Sequence, residues 1–88
     1  MKFTSHASRE FWSLFDRLSQ QIQNQAIKQY DLFAHDPYHP FLRLKAIGPF
    51  GSVRVSRSYR ALAVRRGEHF FWFWIGSHAD SDNLIAGL

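Results

Sequence analysis

The chain has 88 residues, no cysteine and a formal net charge of +4, and it carries nine Phe, three Trp and three Tyr. A chain this short fits one small domain, residues 1–88, burying roughly 60–70% of its unfolded surface, and the large aromatic side chains offset the small size. Without cysteine there is neither a disulfide framework nor a thiolate metal centre, which fits a reducing cytosol. No apolar run approaches the ~20 residues of a membrane span, and no apolar leader opens the chain. A soluble, cytoplasmic protein is the expectation.

In chain order, Lys2–Ser5 is a short candidate edge strand. Ser8 is placed to cap a helix, with Glu10 in the first turn where the helix dipole favours a negative charge. Phe11, Leu14, Phe15 and Leu18 follow at helical spacing, with Trp12 at the edge of the stripe. After a weak break at Ser19-Gln20-Gln21, Ile22, Ala26, Tyr30 and Phe33 form a second stripe, with Gln, Asn and Lys on the outer face. Pro37 ends that helix near His35-Asp36, because the residue before a proline is pushed out of the α region. Two helices joined this closely predict an antiparallel αα-hairpin.

Beyond Pro40 the period becomes that of strands. Phe41–Ile47, Ser52–Ser56, Tyr59–Arg65 and His69–Ile75 read as four strands. They are separated by Gly48-Pro49-Phe50-Gly51, Arg57-Ser58 and Arg66-Gly67-Glu68. The expected fold class is α+β: an antiparallel β-sheet meander with an N-terminal αα-hairpin packed on one face, in the order β-α-α-β-β-β. Alternation puts Tyr59, Ala61 and Ala63 on one face of their strand, the small residues towards the helices, and Arg60, Leu62 and Val64 on the other. Two helices cover one face only, so the second is expected to be partly exposed, apolar and flanked by arginine, a pattern that marks interaction surfaces.

Charge follows the same division. Residues 1–39 hold four basic and four acidic side chains, whereas residues 41–66 hold seven basic and none acidic. Such one-sided charge favours a polyanion or an acidic protein. Lys45, Arg54 and Arg60 fall on three consecutive predicted strands. On a shared face they would form a cationic patch able to hold phosphate and stabilise developing negative charge. Arg43 and Arg57 are further candidate phosphate contacts; Arg65 and Arg66, at a turn, read as solvated charge. His78, after the last strand, supplies an imidazole able to pass a proton near neutral pH. His35 and His39 bracket a proline-stiffened turn without the third and fourth ligand a zinc site needs, so no metal is expected. Trp72 and Trp74 read as core or interface residues, with base stacking as the alternative. The sequence holds no phosphate loop, no Gly-x-Ser-x-Gly elbow and no His-Glu-x-x-His.

The order of elements, with Leu44-Lys45, Ser52-Val53-Arg54-Val55, Tyr59-Arg60-Ala61-Leu62 and Trp74-Ile75-Gly76-Ser77-His78, resembles the RelE/ParE superfamily of type II toxin–antitoxin toxins. The resemblance spans nearly the whole chain. It implies a toxin held inactive by an antitoxin wrapped over it, the antitoxin acidic and encoded next door. On the RelE-like side, which His78 and Tyr59-Arg60 favour, it implies ribosome-dependent cutting of mRNA without metal or cofactor. By that comparison Arg60 matches the strand arginine at the scissile phosphate and His78 the position after the final strand; Arg54 and Lys45 match further basic positions. No direct DNA binding is expected without the antitoxin. Many relatives read His-x-x-Tyr-Asp where this chain reads His78-Ala79-Asp80-Ser81-Asp82. Two alternatives stay open: a ParE-like, non-enzymatic inhibitor of DNA gyrase, and an inactive homologue that retains only antitoxin binding.

Overall fold

A computed structural model describes residues 3–87. Strand β1 (Thr4–Ala7) leads into helix α1 (Arg9–Asp16) and helix α2 (Gln20–His35). A single 3-10 turn (Pro40–Leu42) precedes β2 (Lys45–Ile47), β3 (Phe50–Ser56), β4 (Tyr59–Arg66) and β5 (His69–Ser77), and helix α3 (His78–Ala86) closes the chain. The five strands form one sheet in the order β1-β5-β4-β3-β2, one strand more than the expected order β-α-α-β-β-β counts. β2 to β5 are the expected antiparallel meander, whereas β1 joins β5 in parallel. The sheet is therefore mixed and the fold α+β. Of the predicted edge strand, Lys2 lies outside the described residues.

Local chemistry accounts for most boundaries. The Ser8 hydroxyl accepts from the Phe11 amide at 3.1 Å and that of Ser19 from the Ile22 amide at 3.3 Å, so each helix begins at a capped end. Asp36, extended and followed by Pro37, stops α2. Gly48 and Gly67 take φ of +58° in the turns after β2 and β4, a conformation that costs glycine nothing.

Three features differ from the expected pattern. The strand predicted from Phe41 begins only at Lys45, because His39 Nδ1 accepts from the Phe41 amide and caps the 3-10 turn instead. His35 Nδ1 meets the Asp31 carbonyl oxygen at 2.8 Å, so both histidines of that segment have local partners. α3 was not expected at all, although Ser77, whose hydroxyl accepts from the Asp80 amide at 3.1 Å, with Asp80 three residues on, is a recognisable helix-start pattern. Arg65, read as solvated charge, lies with its guanidinium 5.0 Å from the Phe3 ring centre and donates to the Tyr38 hydroxyl at 3.2 Å.

The core lies between α1, α2 and one sheet face. Phe33, Leu42, Val53, Val55, Ala61, Ala63, Phe70, Trp72 and Ile75 are buried there, with Phe11, Leu14, Phe15 and Leu18 packed against them. Phe33 meets Phe70 and Trp72 edge-on, at 4.9 and 5.3 Å between ring centres, a favoured aromatic geometry. α1 rests on β5 and α2 on β3, which leaves a largely apolar cavity of about 370 Å³ between them over Ala61. Trp12, Ile27 and Tyr30 line it and stay about half exposed.

A register shift decides which aromatic faces where. Leu62 pairs with Trp74 but Ala63 pairs with Trp72, leaving Phe73 as the unpaired residue of a β-bulge. Strict alternation would put Trp72 and Trp74 on one face. The bulge instead keeps Trp72 and Ile75 in the core and moves Trp74 to the opposite face, beside Gly76.

Candidate functional site: an arginine cluster on the sheet

Cross-strand partners share a face. Lys45 pairs with Ser52, Ser52 with Leu62, Arg54 with Arg60, and Arg60 with Gly76. Lys45, Arg54 and Arg60 therefore share the face away from α1 and α2. That face is not uniformly open. Ser52, Arg60 and Leu62 are 1%, 7% and 1% exposed, while Lys45 is exposed and Arg54 and Trp74 are half-buried.

Arg60 does not project freely, as alternation alone suggested; it is laid down and held. Its Nε donates to Ser52 Oγ at 2.6 Å, and its Nη2 donates to the carbonyl oxygens of Arg43 at 3.1 Å and of Ser52 at 3.2 Å. All three acceptors are uncharged, and among the described residues no carboxylate lies within 4 Å of it. Burial, reinforced by Arg54 and by Arg43, pulls the guanidinium below the usual arginine range; Asp82 acts in the opposite direction. Arginine stays protonated under these conditions. Among the described residues the fold thus holds this cation with no carboxylate in direct contact, Asp82 acting on it only from further away. Nη1 has no hydrogen-bond partner among the described residues. Nor is it among the side-chain atoms sealed from solvent without a partner, which are Gln25 Oε1, Trp72 Nε1 and Ser81 Oγ.

The neighbours complete the geometry. Arg43 has a positive φ of 47°, rare for a residue with a Cβ, and it supplies a carbonyl that orients Arg60. Its own side chain is exposed. Trp74 lies across Gly76, directly opposite Arg60: a Cβ at Gly76 would meet the indole at 2.7 Å. Only glycine lets the ring occupy that place. Arg57 sits in the exposed β3–β4 turn and makes no side-chain hydrogen bond among the described residues.

His78 is the first residue of α3. Its amide donates to the Ser58 carbonyl oxygen at 2.7 Å, fixing the start of the helix against the β3–β4 turn. Its Nε2 lies 3.6 Å from Asp82 Oδ1, one helical turn on, with both side chains largely exposed. The same Asp82 acts on the Arg60 charge, so the imidazole and the guanidinium share one acidic neighbour. Ser52 and Asp82 were not singled out from sequence. Ser52 carried no signal beyond its string, whereas Asp82 follows from the helix start at Ser77, since it then sits at i+4 from His78. Ser81 is 1% exposed. It points into the seat of α3 on β4 and β5 rather than to the surface. Among the described residues no group of three or more His, Cys, Asp or Glu is gathered as a metal site would require.

No protein-family model and no curated protein sequence matches the chain. Solved structures do. YafQ from E. coli strain BL21(DE3) is similar with a TM-score of 0.71 at 9% identity, covering 91% of this chain and 98% of that one. The RelBE2 toxin–antitoxin complex of Mycobacterium tuberculosis is similar with a TM-score of 0.71 at 12% identity, covering 89% of this chain and 100% of that one. A mutant of the E. coli toxin RelE in the free state is similar with a TM-score of 0.70 at 13% identity, covering 99% of this chain and 93% of that one. The chain has the fold of the RelE-like toxins, over nearly its whole described length.

Proposed function

We propose that the chain is the toxin of a type II toxin–antitoxin system and acts as a ribosome-dependent, metal-independent mRNA endoribonuclease in the cytoplasm. One observation carries the reading: Arg60 is a buried, oriented cation with no carboxylate within 4 Å among the described residues and an unused Nη1, and Arg54 and Arg43 add charge of the same sign. A single phosphodiester would supply the missing anion. As the 2′-hydroxyl attacks, the P–O5′ bond breaks and its electrons leave on the 5′-oxygen. The added negative charge of the phosphorane falls on oxygens that Arg60 Nη1 and Arg54 can reach, and donors fixed in advance favour that state over the ground state. His78 exchanges the protons, taking one from the 2′-hydroxyl or returning one to the 5′-oxygen. Lys45, Arg43 and Arg57 extend the field along the RNA and, by displacing counter-ions, favour docking on ribosomal RNA.

The fold of RelE-like toxins supports a protein partner as well, since RelB and DinJ accompany the toxins in several of the similar structures. Here an antitoxin would cover the apolar cavity between α1 and α2, where Trp12, Ile27 and Tyr30 stand exposed. The test is primer extension on an mRNA under translation with purified protein. Codon-linked cuts that His78→Ala greatly reduces are the expected result. Intact mRNA with inhibited supercoiling would select a gyrase inhibitor, and normal growth on induction of the protein alone would mark an inactive homologue.

A further inference from the structure

On the arginine-bearing face, at the far end of β5, three rings form a second feature. His69, Phe71 and His6 are exposed. His6 stacks on Phe71 with ring centres 4.7 Å apart and planes at 13°. His69 lies within 25° of both rings, and His6 Nε2 meets His69 Nδ1 at 3.2 Å. The parallel pairing of β1 with β5, His6 opposite Phe71, creates the group from residues far apart in sequence.

We propose that this His6–Phe71–His69 group is a stacking subsite for a base of the single-stranded RNA whose phosphate lies at Arg60. The position rests on the phosphate reading of Arg60. Phe71 is 41% exposed, so part of the ring group is open to a ligand. Its orientation is fixed by the imidazole stack and the imidazole–imidazole hydrogen bond, so little entropy is lost on stacking. Charge selects the occupant. Lys45, Arg54 and Arg60 share the face and Arg66 pairs with His69 at the group itself, against Glu68 in the turn before His69, Glu10 in the first turn of α1 and Asp82 on α3. A polyanion with flat apolar faces fits this combination; an acidic peptide would match the charge but not the parallel ring faces. From Arg60 to Val64, the partner of Phe71, the strand advances about 13 Å at roughly 3.3 Å per residue. An extended strand of a few nucleotides spans that distance. Base stacking on aromatic side chains tolerates any sequence, so the subsite would fix register and affinity without selecting a codon.

The test is fluorescence anisotropy with the purified full chain and two labelled probes, hexauridylate and a uridine dinucleotide too short to reach both features. Phe71→Ala is expected to weaken hexauridylate binding roughly tenfold, the effect of losing one base stack, and to leave the dinucleotide unchanged. Phe71→Trp should restore the longer probe. Unchanged hexauridylate binding in Phe71→Ala, with binding lost in Arg60→Met, would overturn the subsite and leave the phosphate site standing, the ring group then belonging to a protein contact. Unchanged binding of both probes in Arg60→Met would remove the phosphate reading and the subsite with it.

Discussion

Replacing Ser52 with alanine removes one oxygen from beneath Arg60 and nothing else of consequence. Ser52 is 1% exposed and its hydroxyl accepts from Arg60 Nε at 2.6 Å. A hydrogen bond to a charged donor contributes about 1.5–3 kcal/mol, and its loss leaves a buried N–H of a cation without a partner. Taking about 2 kcal/mol, the Tm of a domain this size should fall by roughly 8–16 °C. The informative quantity is the coupling. In an Arg60→Met background the donor is absent, so Ser52→Ala should cost less than ~0.5 kcal/mol there, giving an interaction energy of about 1.5 kcal/mol or more. Urea denaturation of the wild type, both single variants and the double variant closes the cycle. An equal cost of Ser52→Ala in both backgrounds would refute the claim that Ser52 serves to hold Arg60.

Gly76→Ala forces a Cβ to within 2.7 Å of the Trp74 ring and should cost about 1–3 kcal/mol through displacement of the indole. Trp74→Ala should absorb most of that cost in the double variant, as denaturation midpoints will show. Asp82→Asn removes the one acidic side chain that opposes the burial of Arg60 charge. Pyrophosphate, measured by its elevation of Tm, should then bind more tightly. The Tm without ligand should barely move, because the Asp82–His78 pair is exposed.

Much of the frame was legible in the sequence because it depends on local chemistry. Ser8 acts through its hydroxyl on an amide three residues on, and Pro37, Gly48 and Gly67 through their own backbone, so they mark a helix start, a helix stop and turns from local sequence alone. Period-two alternation raised the possibility that Lys45, Arg54 and Arg60 share a face, and the strand register that puts them there comes from the structure. What alternation could not show was long-range pairing. The parallel β1–β5 contact joins residues more than sixty positions apart, and the bulge at Phe73 depends on how β4 and β5 fit together. That bulge sends Trp72 inward and Trp74 outward, a distinction absent from the string His69–Ile75, where both alternating sets are apolar or aromatic. The burial of Arg60 was hidden for a related reason. It requires Ser52 on the next strand and the carbonyl of Arg43 at a left-handed backbone position, and neither is signalled by residue type. The helix α3 and the pairing of Asp82 with His78 were missed, although Ser77 and Asp80 carry the local signal of a helix start.

The cation at Arg60 is the centre of the functional account, and the cleavage rate on programmed ribosomes measures its role. With wild-type protein in excess, codon-linked cuts should appear in primer extension. Arg60→Met, shown to be folded by its unfolding transition, should cut about 10²–10³-fold more slowly, the effect of removing a fixed donor from developing negative charge. A folded Arg60→Met protein that cuts within a few-fold of the wild-type rate would contradict the assignment of Arg60 to the scissile phosphate.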